Sequence, residues 1–317
     1  MAVTVGQTIG EAEYTTLRSG INLVMGTPTG TGTAAAGYNQ TTTTAPAVSP
    51  GDKITAANWD ALRSDVTKAY THQVGSAPTL TNVGVSTGIT KAIHDQLETV
   101  VNFVKNANNR FSMASNQKTL VSLSYFPDGT EDWNGTLIHD VNLVWPNANT
   151  AKAFFNAGGN IGMNTSLGYS GDEAKTLDWQ SIVEDAGPIV LGANGVTRPG
   201  LQTGGTLVSD GFYDLDSTER NILSDTGTNP YSENDYQIKV RAITNGIRIR
   251  MYYRDDDAGD PVEVGDGGTD GLYGTLGDGT DENVKGKLYT VIDCYHPSGT
   301  VDVVPPTVSY GSTNTFT

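Results

Sequence analysis

The densest run of chemically competent side chains lies between Asp255 and Glu282, where ten Asp and Glu residues stand without a single Lys or Arg. Glycines interrupt them, as in Gly265-Asp-Gly-Gly-Thr-Asp-Gly271. Clustered carboxylates on a flexible backbone suit Ca²⁺, a hard cation that takes about six to eight oxygen ligands. Asp255, Asp257, Asp260, Asp266 and Asp270 are the candidate ligands, and apart from that calcium set no cofactor is expected. The spacing fits neither an EF-hand loop nor a tandem nonapeptide repeat. Two other readings stay open. The loop is a solvated one, partly neutralised by Lys239, Arg241, Arg248 and Arg250, or it meets those cations on a neighbouring copy of the chain.

The remaining reactive residue types are scattered. His72, His94, His139 and His296 show no His-x-x-x-His spacing, so hydrogen-bonded or exposed imidazoles are expected rather than zinc ligands. The single cysteine, Cys294, sits in the apolar run Leu288–Tyr295 and reads as a buried structural thiol. No nucleophile elbow, Walker loop or kinase signature occurs. With 35 acids, some pair falls at glycosidase separation by chance, which keeps a polysaccharide depolymerase as an alternative. Tyr231, Tyr252, Tyr253, Tyr273 and Tyr295 allow a second alternative, a glycan-binding receptor module, although strand tyrosines are more often core edges. The expectation is a protein without enzymatic activity.

Charge divides the chain. Residues 1–115 hold seven acids and seven Lys or Arg, so the whole net charge of −16 belongs to residues 116–317. An acidic surface repels phosphate and argues against nucleic acid. No 18-residue apolar run is present, so no membrane insertion is expected, and the N-terminus does not read as a signal peptide.

The elements that must position these residues begin with a repeat. Ile9-x-x-Ala12-x-Tyr14-x-x-Leu17 recurs as Ile54-x-x-Ala57-x-Trp59-x-x-Leu62 and as Ile89-x-x-Ala92-x-His94-x-x-Leu97. Gly10, Thr55 and Thr90 fall at N-cap, with the preceding isoleucine placed to staple onto the residue five further on. Three short helices joined by Gly-, Thr- and Pro-rich connectors such as residues 27–50 make a thin core. An oligomeric bundle or a docking arm satisfies them better than a self-contained cap. Ile9, Tyr14, Leu17, Ile54, Trp59, Leu62, Ile89 and Leu97 are therefore the expected assembly contacts.

Beyond residue 116 the period becomes two. Residues 236–253 form the central hairpin, with Asn245-Gly246 as a type I′ turn. Ile238, Val240 and Ala242 then share a face with Ile249, Met251 and Tyr253. Lys239 and Arg241 oppose Arg248 and Arg250 on the other face, which demands carboxylates across them; these four cations complete the expected assembly contacts. Short helices are predicted over 149–157 and, capped by Thr176, over 177–185; Trp145, Phe154, Phe155 and Trp179 fasten them to the sheet. Strands at 287–295 and 300–304 are expected to pair with each other. The expected fold is mainly β: a jelly-roll-like antiparallel β-sandwich over 116–317 with two short inserted helices, preceded by a small helical region over 1–115.

Several of these passages resemble virion structural proteins of tailed phages, of the kind infecting marine cyanobacteria. Gly37-Tyr-Asn-Gln40, Val48-Ser-Pro-Gly-Asp-Lys-Ile-Thr-Ala-Ala-Asn-Trp-Asp-Ala-Leu-Arg63 and His72-Gln-Val-Gly75 are similar to their N-terminal signature. Ala153-Phe-Phe-Asn-Ala-Gly-Gly-Asn-Ile161 and the helix bearing Asp178-Trp179 are similar to their C-terminal β unit. The resemblance implies a particle component, whether tail or neck fibre, appendage or capsid decoration, assembled in the host cytoplasm and located in the virion. It implies other virion proteins as partners and a homotrimer; a host surface glycan is a further partner only on the glycan-binding alternative. The acidic loop has no counterpart in that family.

Overall fold

The computed structural model describes residues 9–40, 46–84, 88–127, 132–133, 135–256 and 283–310. Four helices come first: α1 (Glu11–Met25), α2 (Ala56–Val74), α3 (Lys91–Lys105) and the single turn α4 (Ala107–Arg110). Then follow β1 (Lys118–Pro127), β2 (Asp132–Trp133), β3 (Gly135–Val144), α5 (Ala148–Asn156), β4 (Asn160–Gly168) and α6 (Ala174–Ala186). The rest is strand: β5 (Ile189–Leu191), β6 (Val196–Thr197), β7 (Thr206–Leu207), β8 (Arg220–Thr226), β9 (Asp235–Ile243), β10 (Gly246–Asp255), β11 (Val284–Lys285), β12 (Lys287–Pro297) and β13 (Thr307–Tyr310). Helix and strand contribute almost equally, 32% and 31%, so the protein is a mixed one rather than mainly β. Its strands form antiparallel sheets of five (β1-β12-β4-β5-β6) and six (β13-β3-β10-β9-β8-β7), with a two-stranded ribbon of β2 and β11.

The chain divides into two units without a single boundary. The first takes Met1–Val121, Trp145–Asn160 and Cys294–Pro305; the second takes Ser122–Val144, Ile161–Asp293 and Pro306–Thr317.

In the first unit each repeat starts its helix where the N-cap pattern places it. Thr55 Oγ1 accepts from Asn58 N (3.1 Å) and Thr90 Oγ1 from Ile93 N (3.4 Å). Gly10 lacks a side chain, and Glu13 instead reaches back to the Gly10 N–H (3.0 Å). The three long helices contact one another pairwise, and Tyr14, Leu17, Trp59, Leu62 and Leu97 are all buried between them. The later visits of the chain finish this core. His72 Nε2 donates to Ala157 O (2.7 Å), and Asn156 Nδ2 to Gly37 O (3.0 Å). Trp145, Phe154 and Phe155 form a ring cluster with centroids 5.0–5.7 Å apart. Residues 300–304 are not the strand partner expected for β12; Thr300 N donates to Gln117 Oε1 (2.8 Å) and its hydroxyl to Lys68 O (3.2 Å), tying this return to α2. The connector after α1 is also covered: Tyr38 is buried, donates to Arg110 O (2.7 Å) and accepts from Gln73 Nε2 (2.8 Å).

In the second unit the central hairpin forms with one residue of displacement at its turn. Gly246 pairs with Ile243, so the loop is Thr244-Asn245, and only Asn245 takes a positive φ (58°). Gly246 is demanded by its neighbour instead: a Cβ there would lie 2.0 Å from Leu143 O on β3. The displacement changes the pairing by two residues, so the faces survive. Val240 faces Ile249 and Ile238 faces Met251, while Arg241 lies opposite Arg248 and Lys239 opposite Arg250. The two sheets meet through hydroxyls. Thr165 Oγ1 of β4 bonds Tyr253 OH (2.6 Å) and Tyr236 OH (3.0 Å), and Tyr253 OH bonds Thr290 Oγ1 of β12 (2.9 Å). The Tyr236 and Tyr253 rings stack at 5.1 Å, and burial pushes the Tyr253 hydroxyl up to about 12.

Helix α6 starts earlier than its apparent cap. Glu173 occupies N-cap, and the Thr176 hydroxyl accepts from Lys285 N (2.9 Å) at the head of β11. One residue before, Lys175 is buried against Asp255 (Nζ to Oδ2 3.0 Å) at the end of β10. The start of α6 thus holds both strands that flank residues 257–282.

Candidate functional site

A recess in the first unit lies where the three repeats enter their helices. Ile9, Ile54 and Ile89, equivalent residues each placed one position before an N-cap, line a hollow of about 700 Å³ together with Val83. Gly10 and Thr55 also face it, so helix N-termini with their partial positive charge converge on an apolar floor. Asp52 and Lys53 stand on its exposed rim. Ile54 and Ile89 remain half-exposed, whereas Ile9 is nearly covered.

This sorts the expected assembly contacts into two groups. Tyr14, Leu17, Trp59, Leu62 and Leu97 are 0–2% exposed within one chain. They hold their own helices together and present nothing to another copy. The sequence alone hides this, because an apolar helical stripe looks the same whether its partner is in the same chain or another. Ile9, Ile54 and Ile89 are brought together at the recess.

Three of the four cations of the hairpin find partners inside the chain. Asp140 on β3, itself fully buried, accepts from Arg248 Nε (2.7 Å) and a second nitrogen of the same guanidinium, and from Arg250 Nε (3.2 Å). Arg250 Nη1 also reaches Glu219 (2.7 Å), and the Lys239 ammonium lies 4.6 Å from the centre of the Tyr252 ring. Arg241 takes no ion pair among the described residues, and its Nε is buried without a hydrogen-bond acceptor. Among the described residues, the carboxylates on this face come from β3 and the approach to β8.

Of the calcium candidates, Asp255 is described, and it points inward. In the amide orientation that satisfies both neighbours, Asn234 donates to Asp255 Oδ1 (2.9 Å) and accepts from Trp179 Nε1 (3.1 Å). With Lys175 on its other oxygen, this carboxylate is engaged as an ion-pair anchor. Asp257, Asp260, Asp266 and Asp270 lie outside the described residues, as does Tyr273.

Among the tyrosines of the glycan reading, Tyr231 and Tyr253 are buried, and Lys118 caps the Tyr295 ring at 5.0 Å. His72 and His139 are buried, which pulls each imidazole down to about 4. Burial also raises the Asp225 carboxyl; the Thr226 N–H works against this, nearby Asp185 and Asp178 reinforce it, and Arg198 opposes it. One group escaped the sequence reading: His94, Asp95 and Glu98 on α3 bring three potential ligand atoms within 4.8 Å of one another. The readable signal was the third repeat itself, which breaks the pattern of the other two at two positions on one helix face. Set beside known proteins, the chain matches no family model, no curated protein and no solved structure.

Proposed function

We propose that this chain is a non-enzymatic structural component of a tailed-phage-type particle. It docks on other virion proteins through its helical unit, associates as a homotrimer, and displays its acidic β unit. The observation that carries the reading is the hollow lined by Ile9, Ile54 and Ile89. A repeat that gathers three equivalent isoleucines at one recess and leaves two of them, Ile54 and Ile89, partly uncovered has a contact to make. Electroneutrality of residues 1–115 supports the same role, because a docking end gains from low self-repulsion. We read the second unit as a jelly-roll-like β-sandwich. Supporting this are the hydroxyl bonds from β4 and β12 to β9 and β10, and the alternating burial along β10 and β12.

The mass of the purified chain in solution tests the association. A three-chain mass that is unchanged by EDTA and falls to one chain in Ile54→Asp/Ile89→Asp, with the circular dichroism spectrum retained, is the expected result. A wild-type monomer overturns the trimer. Mass spectrometry of purified particles tests the location separately, and complete particles lacking the chain overturn it.

One observation favours a second reading. Burial raises the Asp225 carboxyl and the charges of Asp185 and Asp178 reinforce it; a carboxyl of raised proton affinity among other carboxylates is the kind of acid that polysaccharide cleavage uses. Release of reducing sugar from host envelope, lost in Asp225→Asn, would move the assignment to a depolymerase.

A further inference from the structure

Helix α3 carries an arrangement that the docking role does not use. In the first two repeats the buried aromatic, Tyr14 or Trp59, is followed four residues later by Arg18 or Arg63. In the third repeat both positions change together. His94 stands for the aromatic and Glu98 for the arginine, with Asp95 beside them. Positions i and i+4 share a helix face. The two exchanges therefore set a nitrogen donor next to a carboxylate where the sister repeats present a cation.

The geometry follows this pattern. One ring nitrogen of His94 and one oxygen each of Asp95 and Glu98 lie within 4.8 Å of one another. His94 and Glu98 border a recess of about 70 Å³ whose opposite wall is α1, with Glu13 and Thr16. The imidazole is only 3% exposed. Its Nδ1 lies 3.3 Å from Asp95 Oδ1, and among the described residues its Nε2 has no hydrogen-bond partner. A buried imidazole bordering a hollow of that size, with carboxylates on two helices around it, suits a small cation.

We propose that His94, Asp95 and Glu98 bind one divalent transition-metal ion, Zn²⁺ in the first place, with Glu13 of α1 as the fourth ligand. An imidazole among carboxylates selects such borderline ions over Ca²⁺, which prefers an all-oxygen shell. Three carboxylates stand around the recess and the cluster, and the Lys91 ammonium pairs with Asp95 Oδ2. A metal here ties α1 to α3 inside one chain, so it stabilises the helical unit and leaves the number of associated chains untouched. Lys91 competes with the metal for Asp95.

The test titrates ZnCl₂ into the full chain, stripped with EDTA and dialysed, by calorimetry and by thermal melting. One ion per chain and a raised Tm are expected. Glu98→Gln and Asp95→Asn should each weaken binding roughly tenfold or more, His94→Gln should abolish it, and Lys91→Met should tighten it. Glu98 and Asp95 are only half-buried, so their variants carry the test even if His94→Gln unfolds. No heat with the wild type, or equal affinity in the wild type, Glu98→Gln and Lys91→Met, overturns the site. A Zn²⁺-dependent change in oligomer mass, with no rise in the monomer's Tm, overturns it as well.

Discussion

At the scale of single residues, the second unit turns on Asp140. Its buried carboxylate answers two guanidinium groups that stand opposite other cations on β9, so its loss leaves Arg248 without its carboxylate and Arg250 with Glu219 alone. Breaking a buried pair by deleting one partner costs about 3–5 kcal/mol. Asp140→Ala should lower stability by that order in urea unfolding. Glu219→Gln, which removes a more exposed partner of Arg250, should cost no more than about 1 kcal/mol. His72 makes a second prediction. Its imidazole takes a proton near 6.5 in the unfolded chain but only near 4 when buried against Ala157. Between those values the unfolded chain binds more protons, so stability is full above pH 6.5 and falls as the pH drops towards 4. Below that window the loss from one such imidazole is about 3 kcal/mol. His139 adds in the same direction. The urea midpoint should fall between pH 7 and pH 4.5, and His72→Gln should remove roughly half of that fall.

At the scale of elements, the same local signals succeed or fail according to what lies beside them. The caps at Thr55 and Thr90 are local chemistry, a hydroxyl within reach of an N–H three residues on, and they sit where the pattern put them. Thr176 has the same chemistry but gives its hydroxyl to β11, and α6 runs on past it to Glu173. The Asn-Gly turn behaves likewise. Its glycine is needed because β3 approaches too closely for a side chain, while the positive φ belongs to Asn245. Gly246→Ala should therefore cost about 2 kcal/mol or more, since backbone and not a rotatable group blocks the methyl. Asn245→Gly should be close to neutral, because glycine adopts that φ freely. Thermal melts of the two variants decide between the alternatives; equal losses would mean that the turn, not the packing on β3, sets the requirement.

At the scale of the whole molecule, the helical unit is built from three separated stretches of chain. The α2 end of that unit is closed by Ala157 and Thr300, contributed from far downstream. A fragment of residues 1–115 lacks both returns. It should show a broad, non-cooperative melt by circular dichroism, and the full chain a cooperative one. A cooperative melt of the fragment would show that α1, α2 and α3 suffice for their own core.

What residue order alone determined is what depends on near neighbours: the three repeats, their N-caps, the period-two strands, the two faces of the central hairpin and the placement of the net charge after residue 115. Those features rest on hydrogen bonds and spacings a few residues long. Tertiary structure decided which chain segment each apolar face would meet. Tyr14, Trp59 and Leu97 were buried together within one chain, Asp140 answered two of the hairpin cations, and His94 came to border a hollow with Glu13 on its far wall. An apolar stripe or a row of charges states that it needs a partner; only the packed chain supplies one.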